Sequence, residues 1–249
     1  MIDGGLAVHR RKIFDALSSL LEGDTKLSMM ITRRDIDSIN NIPALLRSFD
    51  VDLIRFPNAD FTPLDFFTAF DEANAKAQAY AIASPSPVEW TPPGHIVAFG
   101  GLWLEYVRTM VRVLSTNWLY ESQTRTLFCS DSFGFLTSDL PGGPRVVTPD
   151  PESYSTQSIV DFLNCKFDWL CGCDARPIVE ELEQLMAKRP IDRLCPSYGC
   201  IIEGREAVAL VLERTIEALK ILSALPKPSV LKGFDWSRYP GDAITQESA

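Results

Sequence analysis

The strongest constraint on the fold of this chain is that segments with apolar residues at helical spacing alternate with short, continuous apolar runs. Apolar residues at helical spacing cover His9 to Leu21 and Ile42 to Phe49. A short apolar run follows each of these segments, at Leu27 to Ile31 and at Val51 to Phe56. A further helix is expected from Phe61 to Ala83. Helices that alternate with short buried strands indicate a layered α/β domain.

A strand-rich block occupies the middle of the chain, after a proline-rich segment from Ser84 to Gly94 that is expected to be a loop. The runs His95 to Phe99 and Leu102 to Leu114 predict strands. Trp118 to Tyr120 and Thr126 to Cys129 flank a short polar segment, as in a hairpin. The aromatic residues of these strands are expected in the core: Trp103, Tyr106, Trp118 and Tyr120.

The last part of the chain predicts mainly helices. A loop rich in Gly and Pro runs from Ser138 to Pro151, and helical spacing follows over Ser155 to Leu170 and Pro177 to Ala187. A strand is expected at Ile191 to Cys195, and a long helix at Gly204 to Leu222. The predicted organisation is therefore one α/β domain, residues 1–225, followed by a tail over 226–249.

Composition limits the possible partners and location. The chain has 249 residues and a net charge of −9, which argues against nucleic acid because phosphate binding requires a concentrated basic face. No apolar run is long enough to cross a bilayer, and no apolar signal segment stands at Met1. These features predict a cytoplasmic protein that contacts neither membrane nor nucleic acid.

The cysteines do not predict a metal cluster. Cys171 and Cys173, or Cys195 and Cys200, have spacings that match no common zinc pattern. Without an export signal, reduced thiols in the core or at incidental positions are favoured over a metal site. All six cysteines are covered by this prediction: Cys129, Cys165, Cys171, Cys173, Cys195 and Cys200.

Four segments, in order, carry a resemblance to the metallo-β-lactamase superfamily. Met1 to Gly5 is similar to an L-I-D-x-G segment at the end of a strand. Met30 to Leu46 is similar to the motif T-H-x-[HE]-x-D-H followed by G-G-L-P-A-L-L. Leu127 to Gly134 is similar to the motif L-F-S-x-D-x-F-G of the flavodiiron (oxygen-binding di-iron) branch. Cys195 to Gly199 is similar to the late motif P-S-H-G. The resemblance implies a four-layer αββα sandwich with its chemistry at the strand ends between two sheets.

The resemblance also assigns metal-ligand positions, and most of them have lost their ligand. Arg33 stands at the first histidine position, Asp35 at the second, and Ser38 at the histidine that follows the retained Asp37. Because these metals need imidazole and carboxylate ligands, this segment alone indicates a degenerate site.

The later ligand positions show the same loss. Asp131 retains the bridging carboxylate, whereas Tyr198, after Ser197, replaces the late histidine. A further histidine is expected near Arg112 to Thr116, and none occurs there. The chain has two histidines in total. His9 is expected on the surface, and His95 at the start of a strand rather than at a metal.

Asp37 and Asp131 are therefore residual metal-ligand positions that are predicted to hold no metal. Arg33 or Arg34 is expected to pair with these carboxylates and to supply the missing positive charge. The alternative is that both arginines point to solvent. The former pocket, called the relic pocket below, is assigned to five residues: Arg33, Asp35, Ser38, Ser197 and Tyr198.

Three functional hypotheses follow. The first is a metal-free pseudoenzyme that acts as a binding or regulatory module for a protein or a small molecule. The second is a metal-dependent hydrolase or di-iron oxidoreductase that holds Fe, Mn or Zn at a carboxylate-rich site with Tyr198. The third is a structural subunit of an intact relative. The first hypothesis predicts that no cofactor is bound. FMN is not implied under any of the three, because the chain has no room for a flavodoxin domain.

The start of the chain leads to an expectation about the first sheet. Members of the superfamily have strands before the segment that resembles Met1 to Gly5. Two alternatives follow: either the start at Met1 is set too late, or the first sheet is incomplete and its exposed edge is covered, for example by the partner in a homodimer.

Overall fold

The structure is a computed structural model, and it describes residues 1–57, 88–112, 115–138, 143 and 145–226. The helix expected from Phe61 to Ala83 and the tail from residue 227 onward lie outside these residues. Within them, the predicted helices and strands form close to the expected boundaries. The differences, which concern short strands and strand ends, are described below.

The first sheet is parallel and contains strands β1 (Leu27–Met30), β2 (Val51–Phe56) and β3 (Val88–Trp90) among the described residues. On the other side of β1, Ile2 forms an isolated parallel bridge with Met30. The segment from Ser84 to Gly94 was predicted to be a loop, and this prediction was wrong for the residues of β3. The residues from Val88 to Thr91 include no proline, so they keep the backbone donors that pair with β2; the Thr91 N–H, for example, donates to the Phe56 carbonyl at 2.9 Å.

Three helices cover one face of the first sheet: α1 (Arg10–Leu20), α2 (Ile36–Ile39) and α3 (Ile42–Ser48). Pro43 lies in the first turn of α3, where its missing N–H costs no helical hydrogen bond. Leu45 of α3 packs with Met29 of β1 in one buried cluster. The amphipathic pattern of the sequence thus places these helices on the outer side of the sheet.

The second sheet has seven strands among the described residues. They are β4 (Ile96–Phe99), β5 (Leu102–Arg108), β6 (Asn117–Glu121), β7 (Thr126–Ser130), β8 (Val146–Val147), β9 (Arg193–Pro196) and β10 (Ile201–Glu203). Their order in the sheet is β4-β5-β6-β7-β9-β10-β8, with antiparallel pairing from β4 to β7 and parallel pairing of β7 with β9. The two shortest, β8 and β10, were not predicted, because two or three residues show no periodicity.

Strand β5 ends at Arg108 rather than at Leu114 as expected. The next backbone donors bond to side chains instead of a strand: the Met110 N–H donates to the Glu181 carboxylate at 2.7 Å, and the Val111 N–H to the Thr109 hydroxyl at 3.1 Å. The chain therefore leaves the sheet early, although its residues have high strand propensity.

Helices α4 (Thr156–Lys166), α5 (Arg176–Lys188) and α6 (Arg205–Ala224) cover the second sheet. Ser155 caps α4 through a reciprocal pair of hydrogen bonds with Ser158. Three single-turn 3₁₀ helices complete the described helical structure: Ala7–His9, Pro151–Ser153 and Asp168–Leu170.

Side-chain alternation on the strands shows how the layers stack. Trp118 of β6 belongs to the cluster beneath α4, α5 and α6, whereas its neighbour Leu119 packs against Met30 of the first sheet. The two sheets therefore face each other, with helices outside both, which is the four-layer αββα arrangement of a mixed α/β protein. Trp103 corrects the aromatic prediction: it is 52% exposed, because β5 lies near the sheet edge.

Two further predictions concern cysteines and membranes. None of the six cysteines forms a disulfide bond, and Cys129, Cys171 and Cys200 are buried. In the part of the chain that the structure describes, no helix has the length and apolar character that a bilayer crossing requires.

Candidate functional site

The candidate site lies where three segments leave the facing sheets: the loop after β1, the turn after β7 and the loop after β9. Hydrogen bonds join these segments to one another and to the start of the chain. The Asp3 N–H donates to the Met30 carbonyl at 2.9 Å, and the Ser197 N–H to the Ser130 carbonyl at 2.6 Å. The Thr32 and Ser130 hydroxyl oxygens lie 3.0 Å apart. The four segments that carry the family resemblance therefore converge at this end of the sandwich.

Arg33 is at the centre of the site. Its guanidinium forms ion pairs with the carboxylates of Asp37 and Asp131, and its Nη2 lies 3.8 Å from the Asp35 carboxylate. The Arg33 side chain is only 2% exposed. Burial disfavours its charge, but the attraction of Asp131 and Asp37 outweighs this effect and raises the pKa of Arg33. The guanidinium is therefore a permanent buried cation.

Local helix geometry brings Asp37 to Arg33. The Asp35 side chain caps α2 by accepting the Ile36 N–H at 2.7 Å. Asp37 follows in the first helical turn, four residues after Arg33, with its side chain 21% exposed. The capping role of Asp35 thus replaces the ligand role that the family motif assigns to this position.

Asp131 lies deeper, with its side chain 3% exposed, and contacts both the predicted site residue Tyr198 and the unpredicted Lys166. The Lys166 ammonium, at the end of α4, lies 3.6 Å from the Asp131 carboxylate and 5.4 Å from the centre of the Tyr198 ring. The Tyr198 hydroxyl donates to the Asp131 backbone carbonyl at 2.9 Å. No local motif predicts Lys166, because only tertiary packing brings α4 to this turn.

Two glycines let the turn after β7 and the loop after β9 approach closely. A Cβ atom on Gly134 would lie 2.6 Å from the Tyr198 ring, and one on Gly199 would lie 2.7 Å from the Leu136 carbonyl oxygen. Ser130 and Phe133 adopt left-handed backbone conformations, with φ of 51° and 61°. Such conformations are costly for residues other than glycine, so this turn is held by its surroundings.

Asp3 belongs to the site, although the sequence analysis used it only as part of a strand-end motif. Its carboxylate accepts the Thr32 N–H at 2.8 Å and the Thr32 hydroxyl at 2.7 Å, and the Thr32 and Ser130 hydroxyl oxygens lie 3.0 Å apart. Asp3 adopts φ of 53°. Burial raises the pKa of Asp3 to about 7, against the opposing effect of the hydrogen bonds from Thr32.

The remaining predicted residues lie around this cluster. Ser38 is buried, and its hydroxyl lies 3.4 Å from the Asp37 carboxylate. Arg34 is exposed, so Arg33 is the arginine that reaches the carboxylates. Both histidines are exposed: His9 lies in the first 3₁₀ turn and His95 directly before β4, as the sequence predicts.

The residues present do not fit a resident metal. Within the described ranges, no three His, Cys, Asp or Glu side chains are grouped closely enough to hold one. Between Asp37 and Asp131 stands the Arg33 guanidinium, a cation that can ligate nothing. Two buried atoms of the cluster, Arg33 Nε and Asp131 Oδ1, have no hydrogen-bond partner in the described part of the chain. The donor set is therefore that of an ion-pair cluster.

A cavity of about 650 Å³ opens beside this cluster, between the two sheets. Asp3, Thr32, Ser130 and Ser197 form part of its wall at the strand ends. We call this space the inter-sheet cavity. Its volume falls in the range of small-molecule binding sites.

Solved structures similar to this chain include flavodiiron proteins. Rubredoxin oxygen:oxidoreductase from the anaerobe Desulfovibrio gigas aligns at 13% identity and a TM-score of 0.59, over 88% of this chain and 50% of that chain. A mutant flavo di-iron protein from Thermotoga maritima aligns at 19% identity and a TM-score of 0.60, over 88% and 49%. The chain has the metallo-β-lactamase-like fold that these proteins share.

The extent of these matches differs among the solved structures. The chain spans about half the length of the two proteins above. It spans 84% of the apo chemotaxis sensor ODP from T. denticola, at 15% identity, a TM-score of 0.59 and 94% of its own length. No protein-family model matches the sequence, and no curated protein matches it.

Proposed function

We propose that this protein is a metal-free pseudoenzyme, a binding or regulatory module in which the Arg33 guanidinium takes the place of the metal. The observation that carries the proposal is the pair of ion bonds from buried Arg33 to Asp37 and Asp131. These two carboxylates stand at the ligand positions that the family resemblance assigns.

Electrostatics supports this proposal. Two carboxylates that converge on one space repel each other unless a cation lies between them, and the guanidinium supplies that cation. A divalent metal would have to displace Arg33, which is 2% exposed, and the displaced charge would need a new partner. Removing one partner of a buried ion pair costs about 3–5 kcal/mol, which would be subtracted from any metal affinity.

The residues at two lost histidine positions are poor substitutes as ligands. The Ser38 hydroxyl lies beside the Asp37 carboxylate. The Tyr198 hydroxyl donates a hydrogen bond to the Asp131 backbone carbonyl. Burial and the negative charge of Asp131 raise the pKa of Tyr198. The phenolate that would bind a metal is therefore disfavoured near neutral pH. These features weigh against the alternative of a metallo-hydrolase or di-iron oxidoreductase.

The proposal extends to partner and location as follows. The ligand is a small molecule or a protein rather than nucleic acid or membrane, and a homodimer is compatible with the proposal. The cytoplasm is the proposed location, and its support is the six cysteines without a disulfide bond.

Metal analysis tests the proposal. Protein purified without an affinity metal is analysed by elemental mass spectrometry, before and after dialysis against Fe²⁺, Mn²⁺ and Zn²⁺. We expect less than roughly a tenth of an equivalent of each metal, far below the occupancy of a structural or catalytic site. About one or two equivalents, lost in both Asp37→Ala and Asp131→Ala, would overturn the proposal and make hydrolysis and oxygen reduction the activities to assay.

A further inference from the structure

The inter-sheet cavity has an apolar wall and a small polar end. Ile2, Leu104 and Phe128 belong to the hydrophobic cluster between the sheets and also line the cavity. The polar end is formed around Asp3, Thr32 and Ser130. Glu121 and Thr124 line the cavity as well. A cavity with largely apolar walls and a few polar groups favours a ligand that has a polar head and an apolar body.

The charged side chains that line the cavity are negative. Three carboxylates line it, from Asp3, Asp37 and Glu121, and none of the described lining residues is a lysine, arginine or histidine. Met1 also lines the cavity, but its amino group donates to the Ser28 carbonyl at 2.8 Å. The cavity therefore favours a positively charged polar head.

Two of these carboxylates already have strong partners. Asp37 forms its ion pair with Arg33. Glu121 is 1% exposed and accepts the Gln123 and Thr124 N–H groups at 2.8 and 2.7 Å, together with the Thr124 hydroxyl. Neither carboxylate needs a ligand to satisfy its charge.

Asp3 differs from them because its hydrogen-bond donors are neutral. Each of its carboxylate oxygens accepts one bond from Thr32, and each keeps a further lone pair. The Arg33 cluster has no positive charge to spare, because Arg33 and Lys166 are balanced by Asp37 and Asp131. Burial raises the pKa of Asp3, and the charge of Arg33, with which Asp3 forms no ion pair among the described residues, only partly opposes this effect.

We infer that the inter-sheet cavity binds a primary organic amine with an apolar body, held by an ion pair between its ammonium group and the Asp3 carboxylate. This inference rests on the proposed function, because it names the ligand class of the same binding module. The ammonium would use the free lone pairs of Asp3, and the apolar body would lie against Ile2, Leu104 and Phe128.

Calorimetry with three probes of equal length tests the inference: hexylamine, hexanol and hexanoate, at a pH near 8, where Asp3 is ionised. We expect hexylamine to bind about tenfold more tightly than hexanol, which is the contribution of one charge-assisted hydrogen bond. Hexanoate should not bind. Equal affinity for the amine and the alcohol, or no binding of the amine at millimolar concentration, would overturn the inference.

A pair of variants locates the site. Asp3→Asn keeps the shape of the side chain, and asparagine tolerates the left-handed backbone at this position. It should remove the preference for the amine. Asp24→Asn removes the same charge from an exposed position and should leave the preference unchanged. A preference that survives in Asp3→Asn would refute the assignment of Asp3.

Metal analysis of the same samples separates the two claims. Metal-free protein without a preference for the amine overturns this inference and leaves the proposed function standing. Protein that carries stoichiometric metal overturns the proposed function whatever the probes show.

Discussion

The Arg33 guanidinium forms an ion pair with the Asp131 carboxylate although both side chains are almost fully buried, with exposed fractions of 2% and 3%. The pair connects the loop after β1 in the first sheet with the turn after β7 in the second. Lys166, 3.6 Å from the same carboxylate, contributes a second positive charge from α4. The ion pair therefore joins both sheets and one helix layer at a single point.

Arg33→Met should strongly destabilise the protein. The substitution preserves the apolar stem but leaves Asp131 buried beside Asp37 without its closest cation, which we expect to lower the free energy of unfolding by about 3–5 kcal/mol. Arg11→Met, on α1 with a side chain that is 95% exposed, is the control and should change it by less than about 0.5 kcal/mol. Denaturant unfolding measures both, and equal effects would contradict a buried Arg33.

Arg33→His should create metal affinity. The substitution removes the competing cation and places an imidazole near Asp37 and Asp131, which gives a mixed nitrogen and oxygen ligand set suited to Zn²⁺ or Fe²⁺. We expect up to about one equivalent of metal in this variant, and loss of that metal when Asp131→Asn is added. Arg34→His is the control. If Arg33→His takes up no more metal than its control, the guanidinium is not what excludes the metal.

Asp3→Asn should change how stability depends on pH. The pKa of Asp3 is about 7 in the folded protein and has an ordinary value of 3.8. Between these pH values the folded state therefore binds more protons than the unfolded state. The contribution of Asp3 to the free energy of unfolding of the wild type is fully present below about pH 4 and is lost as the pH rises to about 7.

Because asparagine does not ionise, Asp3→Asn avoids this loss. The free energy of unfolding of the variant, relative to wild type, should rise by about 3 kcal/mol between a pH of about 5 and about 8. Asp24→Asn should show no such rise. A pH-independent difference between Asp3→Asn and wild type would mean that Asp3 is ionised at both pH values.

Gly134→Ala should destabilise the turn after β7 through Tyr198. The added Cβ would lie 2.6 Å from the Tyr198 ring and 2.8 Å from the Tyr198 carbonyl oxygen. We expect a loss of about 2 kcal/mol or more, in the range of overpacked core positions. Truncating the ring in the double variant Gly134→Ala/Tyr198→Ala should relieve part of this cost, and a double-mutant cycle measures that coupling. Strict additivity would contradict the contact.

Much of the fold follows from local sequence. Helical spacing determines α1, and the apolar run at Leu27 determines β1, because each pattern has a single face to bury. Four short segments in order, none of them sufficient alone, predicted the metallo-β-lactamase-like fold, and the motif around Asp131 favoured the flavodiiron proteins among those with this fold. Short strands such as Val88–Trp90 were missed, because three residues between prolines show no period and pair only with a strand that is remote in sequence.

Sequence likewise predicted one part of the candidate site, and tertiary structure decided the other. Residue identity alone shows that Arg33 and Tyr198 stand where the motif has histidine, and that Asp37 and Asp131 remain. Three features depend on contacts between residues far apart in the chain. Arg33 turns inward, Lys166 reaches Asp131, and Asp3 faces the inter-sheet cavity with no ion-pair partner among the described residues. Sequence determines which groups are available, whereas tertiary packing decides which charges share a space from which water is excluded, and electrostatic interactions depend on that distance and that solvent exposure.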